Sequence, residues 1–234
     1  MRLSKRIYAI ADAVKAGDSA ADIGTDHGYV PMLLIKNGIS PRVIMSDISG
    51  MSLAKARETF DICGFDIDDD CFRVGDGLET IAPGETDCVI IAGLGGMTII
   101  EILSSDIEKS RSFPRMIFQP RKHSGNLRHF LWVNGWGITD EILAPEGKFV
   151  CEIIIAVPSG CADRTSPYPE NDIRWKYPET LKSADSELLK KRVGWKLSSI
   201  DEEIENLNAS SSDKSKEIAR LTADAVYLRS LIAE

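Results

Sequence analysis

Short, almost wholly apolar runs separated by helical patterns narrow most what this chain can become. The runs fall at residues 20–23, 42–46, 71–74, 88–92 and 115–118. A strand that is apolar on both faces needs cover on both faces, and helices between the strands supply it. Leu3, Ile7, Ile10 and Val14 repeat at helical steps, with Ser4 as a possible N-cap and Gly17 as a stop. Residues 31–37, closed by Gly38, and residues 49–61 and 124–134 also read as helices. The class implied is α/β with a mostly parallel, doubly wound sheet.

Residues 137–143 and 149–157 read as two further strands, joined by a stretch of hairpin length at 144–148. A seven-stranded, mostly parallel sheet finished by an antiparallel hairpin is the expectation for the Rossmann-like class I methyltransferase architecture. After Val157 the composition turns polar and proline-bearing through Pro178, as a linker or an arm wrapping the domain. Leu189, Val193, Leu197, Ile200, Ile204 and Leu207, then Ile218, Leu221, Ala225 and Leu228, mark two amphipathic helices. The expected organisation is a domain at 1–160 followed by a linker and a helical hairpin, a coiled-coil-like appendage, at 161–234. A stabilising or dimerising coiled coil and an arm that grips a large substrate both remain open, and so does the choice between monomer and homodimer.

The stretch Ala20 to Tyr29 runs from a small-residue strand into a turn of the form Asp-x-Gly-x-Asp-x-Gly, built on Asp22, Gly24, Asp26 and Gly28. A dinucleotide fingerprint requires glycine where Asp26 stands, and a carboxylate there repels a pyrophosphate. A ligand with an adenosine and a cationic end, S-adenosylmethionine, suits an acidic turn better. Asp47, at the end of the second strand, can accept from both hydroxyls of a ribose, or cap the next helix. Asp76, between Gly75 and Gly77, can accept from an adenine amino group, or only shape a turn. Ligands of open α/β sheets bind at this edge, so successive acidic loops there reinforce one another. Beyond the fourth strand, Ala92-Gly93-Leu94-Gly95-Gly96-Met97 strips side chains from the neighbouring surface, either to admit a flat group or to let a helix pack closely. No Asn/Asp-Pro-Pro-aromatic motif is present, which favours a ring nitrogen over an exocyclic amine as methyl acceptor.

Together with Ser46-Asp47-Ile48, Gly75-Asp76-Gly77-Leu78 and Gln119-Pro120, these motifs resemble the bacterial tRNA (adenine(22)-N1)-methyltransferase family over nearly the full chain. The resemblance implies a class I enzyme that uses S-adenosylmethionine to methylate N1 of an adenine in the D-loop region of tRNA. It places Gly24, Thr25, Asp26, His27, Gly28 and Tyr29 on the methionine part, Asp47 with Ile48 on the ribose, and Asp76 with Gly77 on the adenine. Ala92 and Gly93 then border the cofactor, and Gly95, Gly96 and Met97 the target base. N1 of adenine attacks through an in-plane lone pair, so positioning supplies most of the catalysis. Asp26 is the candidate for stabilising the positive charge that develops on the base. Tyr29 is expected to stack on that base or pack its helix, and Gln119, followed by Pro120, to hydrogen-bond the base edge or cap its loop.

The net charge is −8, so RNA must meet a local basic patch. Arg111, Arg115, Arg121, Lys122 and Arg128 lie together with no acid between, and His123 and His129 lie among them. Arg121, Lys122 and Arg128 are the substrate contacts expected. Arg2, Lys5 and Arg6 extend the patch, as do Lys190, Lys191, Arg192 and Lys196; a merely solvated surface is the plain alternative. With five scattered cysteines and three histidines no metal site is expected. No run of about 18 apolar residues and no signal-peptide core is seen, so the expectation is a cytoplasmic protein without membrane contact. A small-molecule methyltransferase and a noncatalytic tRNA-binding module are the competing functions.

Overall fold

Strand β1 (Ala20–Ile23) is buried along its whole length, and it is central because small residues allow cover from both sides. In the computed structural model, which describes residues 3–160, 164–209 and 213–233, it pairs in parallel with β2 (Val43–Asp47) and β4 (Cys88–Ala92). β3 (Phe72–Val74) joins β2, and β5 (Arg115–Gln119) joins β4, both in parallel. β7 (Phe149–Pro158) runs antiparallel to β5 and to β6 (Trp136–Glu146), giving the seven-stranded order β3-β2-β1-β4-β5-β7-β6. The expected fold class is what the chain forms. The hairpin turn is tighter than expected, since both strands extend to Glu146 and Phe149.

Two apolar layers cover the sheet. Ala20, Met45, Ile90 and Ile117 pack on one side with α1 (Lys5–Asp12), α2 (Tyr29–Lys36) and α3 (Gly50–Cys63). Ala21, Ile44, Val89 and Phe118 pack on the other with α4 (Gly96–Ser105) and α6 (Ser124–Val133). Ser4 sits at the N-cap of α1, but its hydroxyl donates to Glu146 and leaves the helix uncapped. Helix α4 and the short α5 (Ile107–Arg111) were not expected, because a glycine-rich start and β-branched residues hide the helical period. The expected linker also carries α7 (Ile173–Lys176) and a 3-10 turn at Glu179–Ser183. Of the cysteines, Cys71 and Cys88 are buried free thiols and Cys161 lies outside the described residues, as does Arg2.

Helices α8 (Ser186–Asn208) and α9 (Ser215–Ile232) bury Leu189, Val193, Ile200, Leu221 and Leu228 against each other and against Leu143 and Val150 of the β6–β7 hairpin. The Tyr227 hydroxyl donates to the Tyr177 carbonyl at 2.7 Å, and the Arg192 guanidinium lies 4.8 Å over the Tyr177 ring. The late part of α9 therefore meets the early part of α8, as in an antiparallel hairpin. Among the described residues no helix is long and apolar enough to cross a membrane.

Arg128 corrects the sequence reading. It is fully buried on α6 and offers nothing to an RNA. Its Nε donates to Glu141 at 2.7 Å, its Nη2 to Glu152 at 2.6 Å and its Nη1 to the Trp175 carbonyl at 3.2 Å. Glu152 also accepts from Ser124 and pairs with Arg192 of α8, and Thr180 donates to Glu141. One polar cluster thus ties α6, both hairpin strands and the C-terminal arm. The Arg128 guanidinium is satisfied on all three nitrogens, which a buried charge requires. Arg111 and Arg115 are likewise occupied, donating to the carbonyls of Asn134 and Ala13. Arg128→Met leaves Glu141 buried without its cation, and urea denaturation is expected to show a loss of about 3–5 kcal/mol.

Candidate active site

Gly24 follows β1 directly and Leu94 lies just beyond β4, and between them two clefts open at the carboxyl edge of the sheet. Gly24 has φ +77°, and a Cβ there would lie 3.5 Å from Leu94. Gly28 has φ +63°, and its Cβ would come within 2.9 Å of Ala56, so glycine is what lets α2 start against α3.

The first cleft, about 590 Å³, lies over β1, β2 and β4 and is lined by Asp47, Ile48, Asp76, Gly77 and one face of α4. Asp47 accepts the Ser49 N–H at 2.7 Å through Oδ1, so it does brace the start of α3 as a turn residue. Its Oδ2, and both oxygens of Asp76, have no hydrogen-bond partner among the described residues. Ile48 is 71% exposed on the rim, an apolar surface beside free acceptors. Thr98, Glu101, Ile102 and Ser105 of α4 complete the wall. Sequence reading missed these four; their helical spacing was the signal.

The second cleft, about 380 Å³, is lined by Arg6, Asp22, Thr25 to Tyr29, Ala92, Gly93 and Arg121. Asp22 is 7% exposed, accepts from the Thr25 hydroxyl at 2.6 Å, and is pushed up to about 6, chiefly by burial. Asp47 adds to that rise, while the Thr25 hydrogen bond and Arg6 oppose it. His27 and Tyr29 stack with ring centroids 5.1 Å apart and planes 7° apart.

The family enters here. A methyltransferase-domain model matches residues 3–154. The tRNA (adenine(22)-N(1))-methyltransferase of Bacillus subtilis (strain 168) is 32% identical over 168 residues, 72% of this chain and 69% of that protein. The chain belongs to the tRNA (adenine(22)-N1)-methyltransferase family. The crystal structure of the B. subtilis m1A22 tRNA methyltransferase superposes with a TM-score of 0.78 at 26% identity, covering 99% of both chains. A Streptococcus pneumoniae protein solved in complex with S-adenosyl-L-methionine superposes at 0.75 over 99% of this chain and 100% of its own, with 21% identity that speaks to the fold alone.

Against the residues that the family resemblance singles out, three local findings alter the sequence reading. The Asp26 carboxylate is 59% exposed and taken up by Lys55 at 2.8 Å and His27 at 3.3 Å; the Lys55 hydrogen bond holds it below the usual carboxylate range. Gln119 is buried, accepting from Arg6 at 3.0 Å and donating to the Pro120 carbonyl at 3.1 Å, so its amide braces the loop with one acceptor and one donor. Gly96 serves packing, since a Cβ there would meet the carbonyl oxygens of His123 and Lys122 at 2.4 and 2.8 Å. Gly95 adjoins the Lys122 side chain, and Met97 stands 43% exposed on the first turn of α4, outside both clefts.

Asp22 carries a cost of its own. An unfolded Asp ionises near 3.8 and the folded one near 6, so the cost is absent below the lower value and grows as pH rises through the upper one. Asp22→Asn keeps an acceptor for Thr25 and removes the buried charge. Calorimetry at pH 7.5 is expected to find the variant more stable, by roughly 3 kcal/mol, with the gain vanishing below pH 4.

Proposed function

We propose that this protein transfers a methyl group from S-adenosylmethionine to N1 of adenine 22 of tRNA. The observation that carries the reading is the pair of clefts meeting at Gly24 and Leu94, one with the free acceptors of Asp47 and Asp76, the other with the buried carboxylate of Asp22. The residues present fit the cofactor. Asp47 offers Oδ2 to a ribose, Asp76 an acceptor to an adenine amino group, and Ile48 with Leu94 the apolar surface for its ring. A pyrophosphate would meet these carboxylates as like charges. S-adenosylmethionine supplies an electrophilic methyl on a sulfonium, with an ammonium at its far end.

Asp22 belongs with that cationic end. Ionised, it favours positive charge in a site removed from water, where each interaction is stronger than in bulk. It takes over the electrostatic role that Asp26, bound to Lys55, is not free to fill. N1 of adenine needs no proton removed before it attacks, so the chain has to supply placement, not a strong base. The parallel His27 and Tyr29 rings give a flat face for the incoming base, and Arg121, on the same wall, a cation for its phosphate. In this reading residues 1–160 are the catalytic unit and 161–234 help hold the RNA. A tRNA substrate implies a cytoplasmic setting.

Incubation with labelled cofactor and unmodified tRNA is expected to place the label on N1 of adenine 22. Label on an exocyclic amine, or none on RNA, overturns the proposal. Asp47→Ala is expected to weaken cofactor binding about tenfold or more by calorimetry. Arg121→Ala is expected to raise the tRNA KM and leave cofactor affinity where it was, and its salt dependence should flatten by about one unit of slope. Cofactor affinity of the wild type is expected to fall as pH drops through about 6, as Asp22 takes up its proton.

A further inference from the structure

A third cleft, about 780 Å³, lies between the β5–α6 loop, the β6–β7 turn and helix α8, and nothing in the methyl-transfer chemistry uses it. Arg121 lines both this cleft and the one beside Asp22, so the two share a wall. Its far side carries two aromatic rings open to solvent, Phe149 at 60% and Trp195 at 46% exposed, with centroids 6.5 Å apart. Lysines sit over both: Lys148 Nζ is 5.2 Å from the Phe149 ring and Lys191 Nζ 5.1 Å from the Trp195 ring.

The charge between these rings and the methyl cleft is positive. The side chains of Arg121 and Lys122 have no hydrogen-bond or ion-pair partner among the described residues. Lys176 also lines the cleft, and burial, with Lys196 adding to it, pushes it below the ordinary lysine value. The acids of the lining are already neutralised, Glu146 by Arg6 at 2.6 Å and Glu152 by Arg128 and Arg192. Two exposed aromatic rings in contact and rimmed by charged groups mark an interaction site. Unpartnered cations beside them select a cover that has both flat faces and phosphates, as an unpaired stretch of RNA has.

We infer that this cleft holds an unpaired nucleotide of the tRNA other than the target adenine, its base against Trp195 and Phe149 and its phosphates along Arg121, Lys122 and Lys176. The inference rests on the proposed tRNA substrate and adds a second point of grip, one contributed by both the hairpin and the C-terminal arm. A strand leaving the methyl cleft past Arg121 runs directly into it.

The test uses full-length Trp195→Ala, Trp195→Phe and Phe149→Ala with unmodified tRNA. Stacking of a base on an aromatic ring is worth about 1–3 kcal/mol, so Trp195→Ala is expected to raise the tRNA Kd on the order of tenfold. Phe149→Ala is expected to raise it less, because a benzene ring offers a smaller stacking face than an indole. Trp195→Phe, which keeps a ring, is expected to recover most of the loss, and cofactor affinity by calorimetry should be the same in all. In the wild type, tRNA is expected to shield tryptophan fluorescence from acrylamide, and a fully paired RNA of equal length to shield it much less. A wild type that methylates tRNA beside a Trp195→Ala variant whose Kd moves less than twofold overturns the inference and leaves the proposed function standing. Equal losses in Trp195→Ala and Trp195→Phe also overturn it, since they mark a packing role. A wild type that neither binds nor methylates tRNA overturns both readings together.

Discussion

The reversal of strand order at β1 governs this molecule. β1 has β2 on one side and β4 on the other, so the chain leaves the sheet centre in opposite directions and the loops beyond these strands diverge. A crevice at that point follows from connectivity alone. What the sequence adds is its chemistry. Gly24 and Leu94, just beyond the diverging strands, close toward each other and divide the crevice, leaving unpartnered carboxylate oxygens on one side and a buried carboxylate on the other.

An acidic protein can still present a positive face, because charge acts where it is left unpaired. The basic segment from Arg111 to Arg128 is continuous in sequence but divided in space: Arg111 and Arg115 hold backbone carbonyls, Arg128 is sealed inside, and Arg121 with Lys122 remain for solvent and ligands. The acids facing the same cleft are bound to arginines that arrive from α1, α6 and α8. Net charge therefore said little about the partner. Which charges the fold consumes said much more.

The fold was readable because buried parallel strands announce themselves as apolar runs, and the hairpin because its turn is short. Helix α4 was not, since its glycines drew attention as a ligand loop while Gly96 in fact admits the carbonyls of Lys122 and His123. Asp47 and Asp76, proposed to meet the cofactor, could be placed at the cleft because strand ends fix where their loops lie. Asp26 and Gln119 could not be judged in the same way. Their partners, Lys55 and Arg6, come from α3 and α1, and no local pattern reports an ion pair or hydrogen bond across that distance. Arg128 was misread for the same reason: its role depends on Glu141 and Glu152, which only the folded hairpin brings beside it.

Glu152 is gripped from two directions, by Arg128 of the catalytic sheet's own helix and by Arg192 of the arm. Tilting the arm would strip a buried carboxylate of half its neutralising charge, at a cost of several kcal/mol. The root of the arm is therefore tied to α6 through one buried carboxylate. On the proposed two-point grip the molecule would work as a calliper, and an RNA would have to bring its own two features to the separation that the protein sets.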